Sequence, residues 1–309
     1  MSSKQEKRFS STEKCYKNID EVVNESIIHL YDSIKNFIFQ KNGEECLVHI
    51  TPKWISDGGI SPEFSYTKNE YEKLRRKCQI PLARKVIYYY DLCGIVTAIQ
   101  DRLEAVKMFM LKLNKIVPYE AKYEEKDYTS AMRVSGERET EAHMLLNSIF
   151  VAYASVFDLL SKIAVEQFEY HKYDFIKYNK MSSSNTIFNK NLKNIDSSLK
   201  QDIMIFSEPP IIRRILTYRN EFVHNGPWDY RCSVYYTAID GVPADVLIYS
   251  PDMDENGNFV ASGSRNKFYS QANRINVQLP DLINDATVLL KNTIQQITTL
   301  YEKGILPSR

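Results

Sequence analysis

Sixteen consecutive residues between Glu141 and Asp158 carry no formal charge. Leu145, Leu146, Ile149, Phe150, Tyr153, Val156, Phe157 and Leu160 recur through and just beyond that run at helical spacing. Their arc covers well over half of a helix circumference, so a helix opening near Glu139 has to be packed on several sides at once. That requirement points to a mainly α chain in which other helices gather around this one.

The other helices have simpler patterns. Ile19, Val22, Val23, Ile27, Leu30, Tyr31, Ile34 and Ile38 mark an amphipathic helix that ends near Gly43, behind a polar, frayed stretch over residues 1–15. From Pro81 to Val117, residues such as Ile95, Ile99, Leu103, Val106 and Leu113 predict a helix of about nine turns, closed by Pro118. Pro280 is expected to open the last helix, with Leu282, Ile283, Ala286, Leu289, Leu290, Ile294, Ile297 and Leu300 on its apolar side.

Between them, Cys46 to Thr51 reads as a short strand followed by loops, which makes residues 1–80 an N-terminal α+β accessory region. Residues 119–136 are charged and read as a connector, and 171–208 read as loop, short helix, loop. Residues 231–279 hold β-type runs, Ser233 to Tyr236 and Val246 to Tyr249, with Asp240-Gly241 and Asn256-Gly257 as turns. They predict a small antiparallel β insertion within a domain over 81–305.

Forty Lys and Arg balance 39 Asp and Glu, which excludes a protein-wide field for nucleic acid or an anionic membrane, so any such binding must be local. The five cysteines include no C-x-x-C pair, the N-terminus has no apolar leader, and no run reaches the roughly 18 apolar residues that span a bilayer. A soluble chain in a reducing cytoplasm is expected, with no membrane partner. Asp252, Asp254, Asn256 and Gly257 imitate the first half of a calcium loop, but Gly263 stands where the bidentate Glu is needed, so a hairpin turn is expected. No metal site and no cofactor are expected.

Chemistry concentrates in the compact helix that Pro209-Pro210 starts and Asn225-Gly226-Pro227 stops. With Ile211 at 0° and about 100° per residue, Ile212, Ile215, Leu216, Phe222 and Val223 form one apolar stripe, and Arg219 falls near its centre at about 80°. A charge there needs a carboxylate, carbonyls or a phosphate. Asn220 and His224 share a face, while Arg219 and His224 stand about 140° apart on an ideal helix. They converge only if the last turn relaxes or a second subunit contributes. His224 sits where the helix dipole favours the imidazolium. Arg for phosphate charge and His for proton transfer suit metal-independent RNA cleavage. The plainer reading is a helix-capping His and an Arg paired with a neighbouring acid.

The run from Arg219 to His224, with Asn220 directly after the Arg, resembles the R-x4-6-H signature of HEPN domains. The two long helices ahead of it and the helix after it match the order of elements in that family. The resemblance covers roughly residues 81–305 and implies a HEPN-like helical bundle. A second pair at the same spacing, Arg138 and His143, lacks the Asn and lies among Glu139 and Glu141. It is discounted.

The resemblance further implies a metal-independent endoribonuclease acting as a homodimer in a prokaryotic toxin–antitoxin or antiviral defence setting. Arg219 would hold the scissile phosphate, His224 would act as general acid or base, and Asn220 would orient the phosphate or the imidazole. The partners implied are an RNA substrate, with tRNA one candidate, and a cognate antitoxin or defence protein. The alternative within the family is a non-catalytic HEPN module that binds RNA or a partner protein.

From His171 to Asn225 nine Lys or Arg stand against five Asp or Glu, which makes Lys172, Lys177, Lys180, Arg213 and Arg214 candidate RNA contacts. Tyr170, Tyr173 and Tyr178 could stack on bases there, though packing on the core is the favoured role. Lys73, Arg75, Arg76, Lys77, Arg84 and Lys85 form a second candidate phosphate path. The N-terminal 80 residues and the β insertion could also make an inhibitory or sensing surface.

Overall fold

The computed structural model describes residues 2–39, 69, 81–178, 180–184, 202–225, 233–265, 267–270 and 273–303. The expected strand at Cys46 to Thr51, both tryptophans, Lys73 to Lys77 and the Gly226-Pro227 stop lie outside them. Helix accounts for 69% of the structure and the rest includes one small antiparallel sheet, so the class is mainly α.

Helix α1 spans Ser2–Glu21, a π-helical turn spans Val22–Ser26, and α2 spans Ile27–Ile38. The expected fraying over 1–15 is therefore corrected to helix. Burial of Cys15 and Ile19 supplies packing that the polar sequence does not advertise. Helices α3 (Pro81–Ile116) and α4 (Glu137–Glu169) fall within two residues of their expected bounds. Helix α5 is Pro210–Asn220, and α6 runs over Ile275–Lys303. Pro280 thus lies inside α6 instead of opening it.

The helix starts early because Asn276 is fixed there. Its side chain accepts from the Ile248 N–H at 3.0 Å and donates to the carbonyls of Pro118 at 2.6 Å and Val246 at 3.2 Å. Within 119–136 the structure places a strand, β1 (Ser130–Val134), that the charged sequence conceals. It pairs antiparallel with β2 (Val234–Ile239), which pairs with β3 (Val242–Ile248), in the order β1-β2-β3.

Asp240 and Gly241 make the two-residue turn between β2 and β3, both at positive φ (48° and 80°), as a type I′ hairpin needs. The β reading of 231–279 is corrected beyond β3 to isolated bridges, Ser262 with Arg265 and Tyr249 with Arg274, before α6 begins. Asp254 closes the tight turn Met253 to Phe259, with its carboxylate taking the N–H groups of Asn256 and Asn258. The expected hairpin turn is there.

The chain forms two compact units. The first comprises 1–21, 102–155 and 208–290. In it Asn18 donates to Asn284 at 2.8 Å, Lys107 pairs with Asp20 at 2.6 Å, and the buried hydroxyls of Tyr153 and Thr287 share a hydrogen bond. Buried Asp245 collects the N–H groups of Lys122 and Tyr123 and the Tyr128 hydroxyl, which ties the connector to the sheet. Burial pushes the Cys15 thiol up to about 12. The second unit comprises 22–101, 156–207 and 291–309. There Glu166 is fully buried and accepts from Tyr173, Ser182 and the Ser183 N–H, while Tyr301 donates to the Ile163 carbonyl.

The stretch Glu137–Lys172 is long and apolar enough to cross a membrane, which corrects the reading that no segment is. More than half of its most apolar window, 56%, is buried inside the protein, as in the core helix of a soluble protein.

Candidate functional site

Helix α5 is held by the side of it that carries aromatic rings. Tyr218 lies 4.8 Å from the ring of Phe150, and Phe222 lies 5.0 Å from His143 and 6.0 Å from Phe150. Ile212, Ile215 and Leu216 are buried beside them. Removing each large ring from water contributes roughly 2–3 kcal/mol, enough to fix the helix on the first unit.

After Asn220 the helix changes character. Glu221–Asn225 form a π-helical turn, in which hydrogen bonds reach five residues back and each residue advances by a smaller angle than in an α-helix. The last turn is therefore relaxed, which is one of the two conditions under which Arg219 and His224 would converge, the other being a second subunit. The change of phase also turns Glu221 inward, to 5% exposure, and Val223 outward, to 46%. The placement of Val223 in the apolar stripe is thus corrected.

Arg219 is corrected as well. It is half-buried and not enclosed by the stripe, because its guanidinium emerges at the end of the helix and donates from Nη1 to Asn220 Oδ1 at 2.8 Å. Asn220, expected to orient the phosphate or the imidazole, orients the guanidinium. His224 is exposed.

Glu221 carries the support that the sequence analysis missed. Its carboxylate is paired with the Lys267 ammonium and accepts from Asn225 Nδ2 at 3.0 Å. The pair clamps both ends of the π turn: one to Lys267, 46 positions on, the other to Asn225 in the turn itself. On an ideal wheel Glu221 falls at about 280°, away from the apolar stripe, so nothing in the sequence marks it as buried or singles out Lys267 as its partner.

The discounted pair does not form a site. Arg138 sits 5.7 Å over the Tyr236 ring, and His143 packs on Phe222 with its buried Nδ1 unbonded among the described residues. Burial lowers the His143 pKa, with Glu139 opposing, so His143 is held as a neutral imidazole beneath the turn.

The candidate RNA contacts divide between the units. Arg213 and Arg214 share α5 with the motif, and Arg213 pairs with Glu208 at 3.6 Å. Lys172, Lys177 and Lys180 belong to the second unit, where Lys172 and Lys177 pair locally with Glu169 and Asp174. Lys180 is exposed. Tyr170, Tyr173 and Tyr178 do not stand free for bases. They pack with Tyr88 and Phe175, and the Tyr178 hydroxyl bonds to Asp91 at 2.6 Å. In the second candidate path, Arg84 donates to the Tyr178 carbonyl and Lys85 lies over Phe175.

No group of His, Cys, Asp and Glu among the described residues has the arrangement of a metal site. In comparisons with known proteins, no family model, no curated protein and no solved structure matches this chain.

Proposed function

We propose that the protein is a metal-independent endoribonuclease of HEPN type, acting in a prokaryotic toxin or antiviral defence system through an Arg/His site completed at a homodimer interface. The observation that carries this reading is the π turn at Glu221–Asn225, which leaves His224 exposed one turn beyond a guanidinium already oriented by Asn220. Turns of this kind recur at functional sites because they give up α-helical regularity for side-chain placement.

In the reaction, the RNA 2′-oxygen attacks the adjacent phosphorus while its proton leaves to a base, and the P–O5′ bond breaks as the departing oxygen takes a proton from an acid. The products are a 2′,3′-cyclic phosphate and a 5′-hydroxyl. His224 supplies one of the two proton transfers, and Arg219 neutralises charge on the non-bridging oxygens as the phosphorus becomes five-coordinate.

Incubation of wild type and His224→Ala with total tRNA in EDTA tests the proposal. Wild type should yield fragments ending in cyclic phosphate, and the variant should fall by at least a hundredfold with an unchanged melting temperature. Absence of cleavage by wild type, with RNA still bound, would replace this reading by the non-catalytic HEPN module.

A further inference from the structure

Arg265 belongs to the same unit as α5 and is held in place at both its backbone and its side chain. Its backbone exchanges two hydrogen bonds with Ser262, at 2.8 Å and 3.1 Å, around a tight turn in which Gly263 takes φ +58°. Glycine adopts that φ without steric cost, so the turn fixes where the Arg265 side chain leaves the backbone. The Arg265 Nε donates to the Lys267 carbonyl at 3.1 Å. Its guanidinium also lies over the Phe268 ring, 5.3 Å from the centroid.

The same segment reaches the candidate site. Two residues on, Lys267 is the partner of Glu221 in the π turn. The Arg265 guanidinium is therefore bonded to the backbone of the residue whose ammonium meets the turn that carries His224. Lys267 directs its charge to Glu221, whereas Arg265 is exposed and neither of its Nη groups has a partner among the described residues. The cations first considered for RNA are engaged elsewhere: Arg213 pairs with Glu208, and Lys172 and Lys177 pair with acids of the second unit.

An arginine whose Nε and flat face are engaged keeps the edge formed by its two Nη groups. That edge is the fork that meets two oxygens of one anion at once. The side chain is already ordered, so little freedom is lost when the anion docks. RNA offers such oxygens at every phosphate. A strand whose scissile phosphate meets Arg219 can place another on Arg265 a few nucleotides away. We propose that Arg265 holds a backbone phosphate of RNA bound at the π turn. The choice of RNA rests on the ribonuclease reading. A phosphate contact of this kind adds affinity for any sequence and sets the path of the strand across the site.

The test has two arms. In a His224→Ala background, so that the RNA stays intact, a labelled single-stranded oligoribonucleotide is titrated by fluorescence anisotropy across about 0.05–0.2 M salt, with Arg265, Arg265→Gln or Arg265→Lys. With His224 intact, the same Arg265 variants are assayed for cleavage in EDTA. One phosphate contact on a single strand accounts for a slope of about −0.7 in log affinity against log salt. Arg265→Gln should therefore make the slope shallower by about 0.7 and weaken binding roughly fivefold at about 0.1 M salt. The KM for cleavage should rise by the same factor while kcat is kept. Arg265→Lys retains the charge and should retain the slope. Both changes are exposed and should keep the parent melting temperature, whereas a purely structural Arg265 would lower it and leave the slope alone.

Unchanged affinity and slope in Arg265→Gln overturn the inference, and cleavage by wild type then leaves the ribonuclease reading standing. Binding that depends on Arg265, without cleavage by wild type, upholds the inference and replaces that reading by the non-catalytic module. No RNA binding overturns the inference, and absence of cleavage then removes the ribonuclease reading as well.

Discussion

Lys267 shows how much one distant residue can govern a local turn. Removing its ammonium leaves the Glu221 carboxylate buried at 5% exposure, with only Asn225 among the described residues to bond it. Breaking such a pair from one side is far more damaging than replacing both members. Lys267→Met should therefore cost roughly 3 kcal/mol in urea unfolding, and the double change Glu221→Leu with Lys267→Met should recover most of it. Equal losses in the single and double variants would show that the pair does not hold the turn. At this scale the sequence exposed the motif residues, since Arg219, Asn220 and His224 announce themselves by type and spacing. It concealed the support, because an ion pair between Glu221 and Lys267 is decided by tertiary approach and leaves no periodic trace.

Among the elements, legibility followed the strength of the apolar pattern. Helices α3 and α4 carry long periodic runs between clear terminators, so their extents could be read closely. Strand β1 could not, because four of its five residues are exposed and its pairing is imposed by β2. Pro280 misled for a different reason: the side-chain bonds of Asn276 start α6 a turn earlier than proline preference suggests. The π turn also escaped, since a change in hydrogen-bond register has no compositional sign. It makes a sharp prediction of its own. Inserting one alanine directly after Val223, which is exposed, carries His224 about 100° around the axis relative to Arg219. Circular dichroism should show the fold retained while RNA cleavage is lost. Full activity in the insertion variant would detach catalysis from the turn.

For the molecule as a whole, the proposed site requires two copies of the chain. If Arg219 of one copy works with His224 of the other, mixing Arg219→Ala with His224→Ala protein creates one intact site in each mixed dimer. Half of the dimers are mixed and one site in two is whole, so activity should return to about a quarter of wild type. No recovery, with exchange of subunits verified by differently tagged copies, would place both residues of a working site on one chain.

The interleaving of the two units has a consequence for how the chain is made. Helix α6 contributes residues up to 290 to the first unit and the remainder to the second, and α1 meets it through Asn18 and Asn284. Ser33 likewise reaches Glu302 in the second unit, at 3.4 Å. Neither core can close while α6 is still inside the ribosome. A nascent chain interrupted before that point therefore carries the complete Arg219 to His224 run on an unfinished scaffold, and the cell that makes it meets a finished protein only after synthesis of α6 is over.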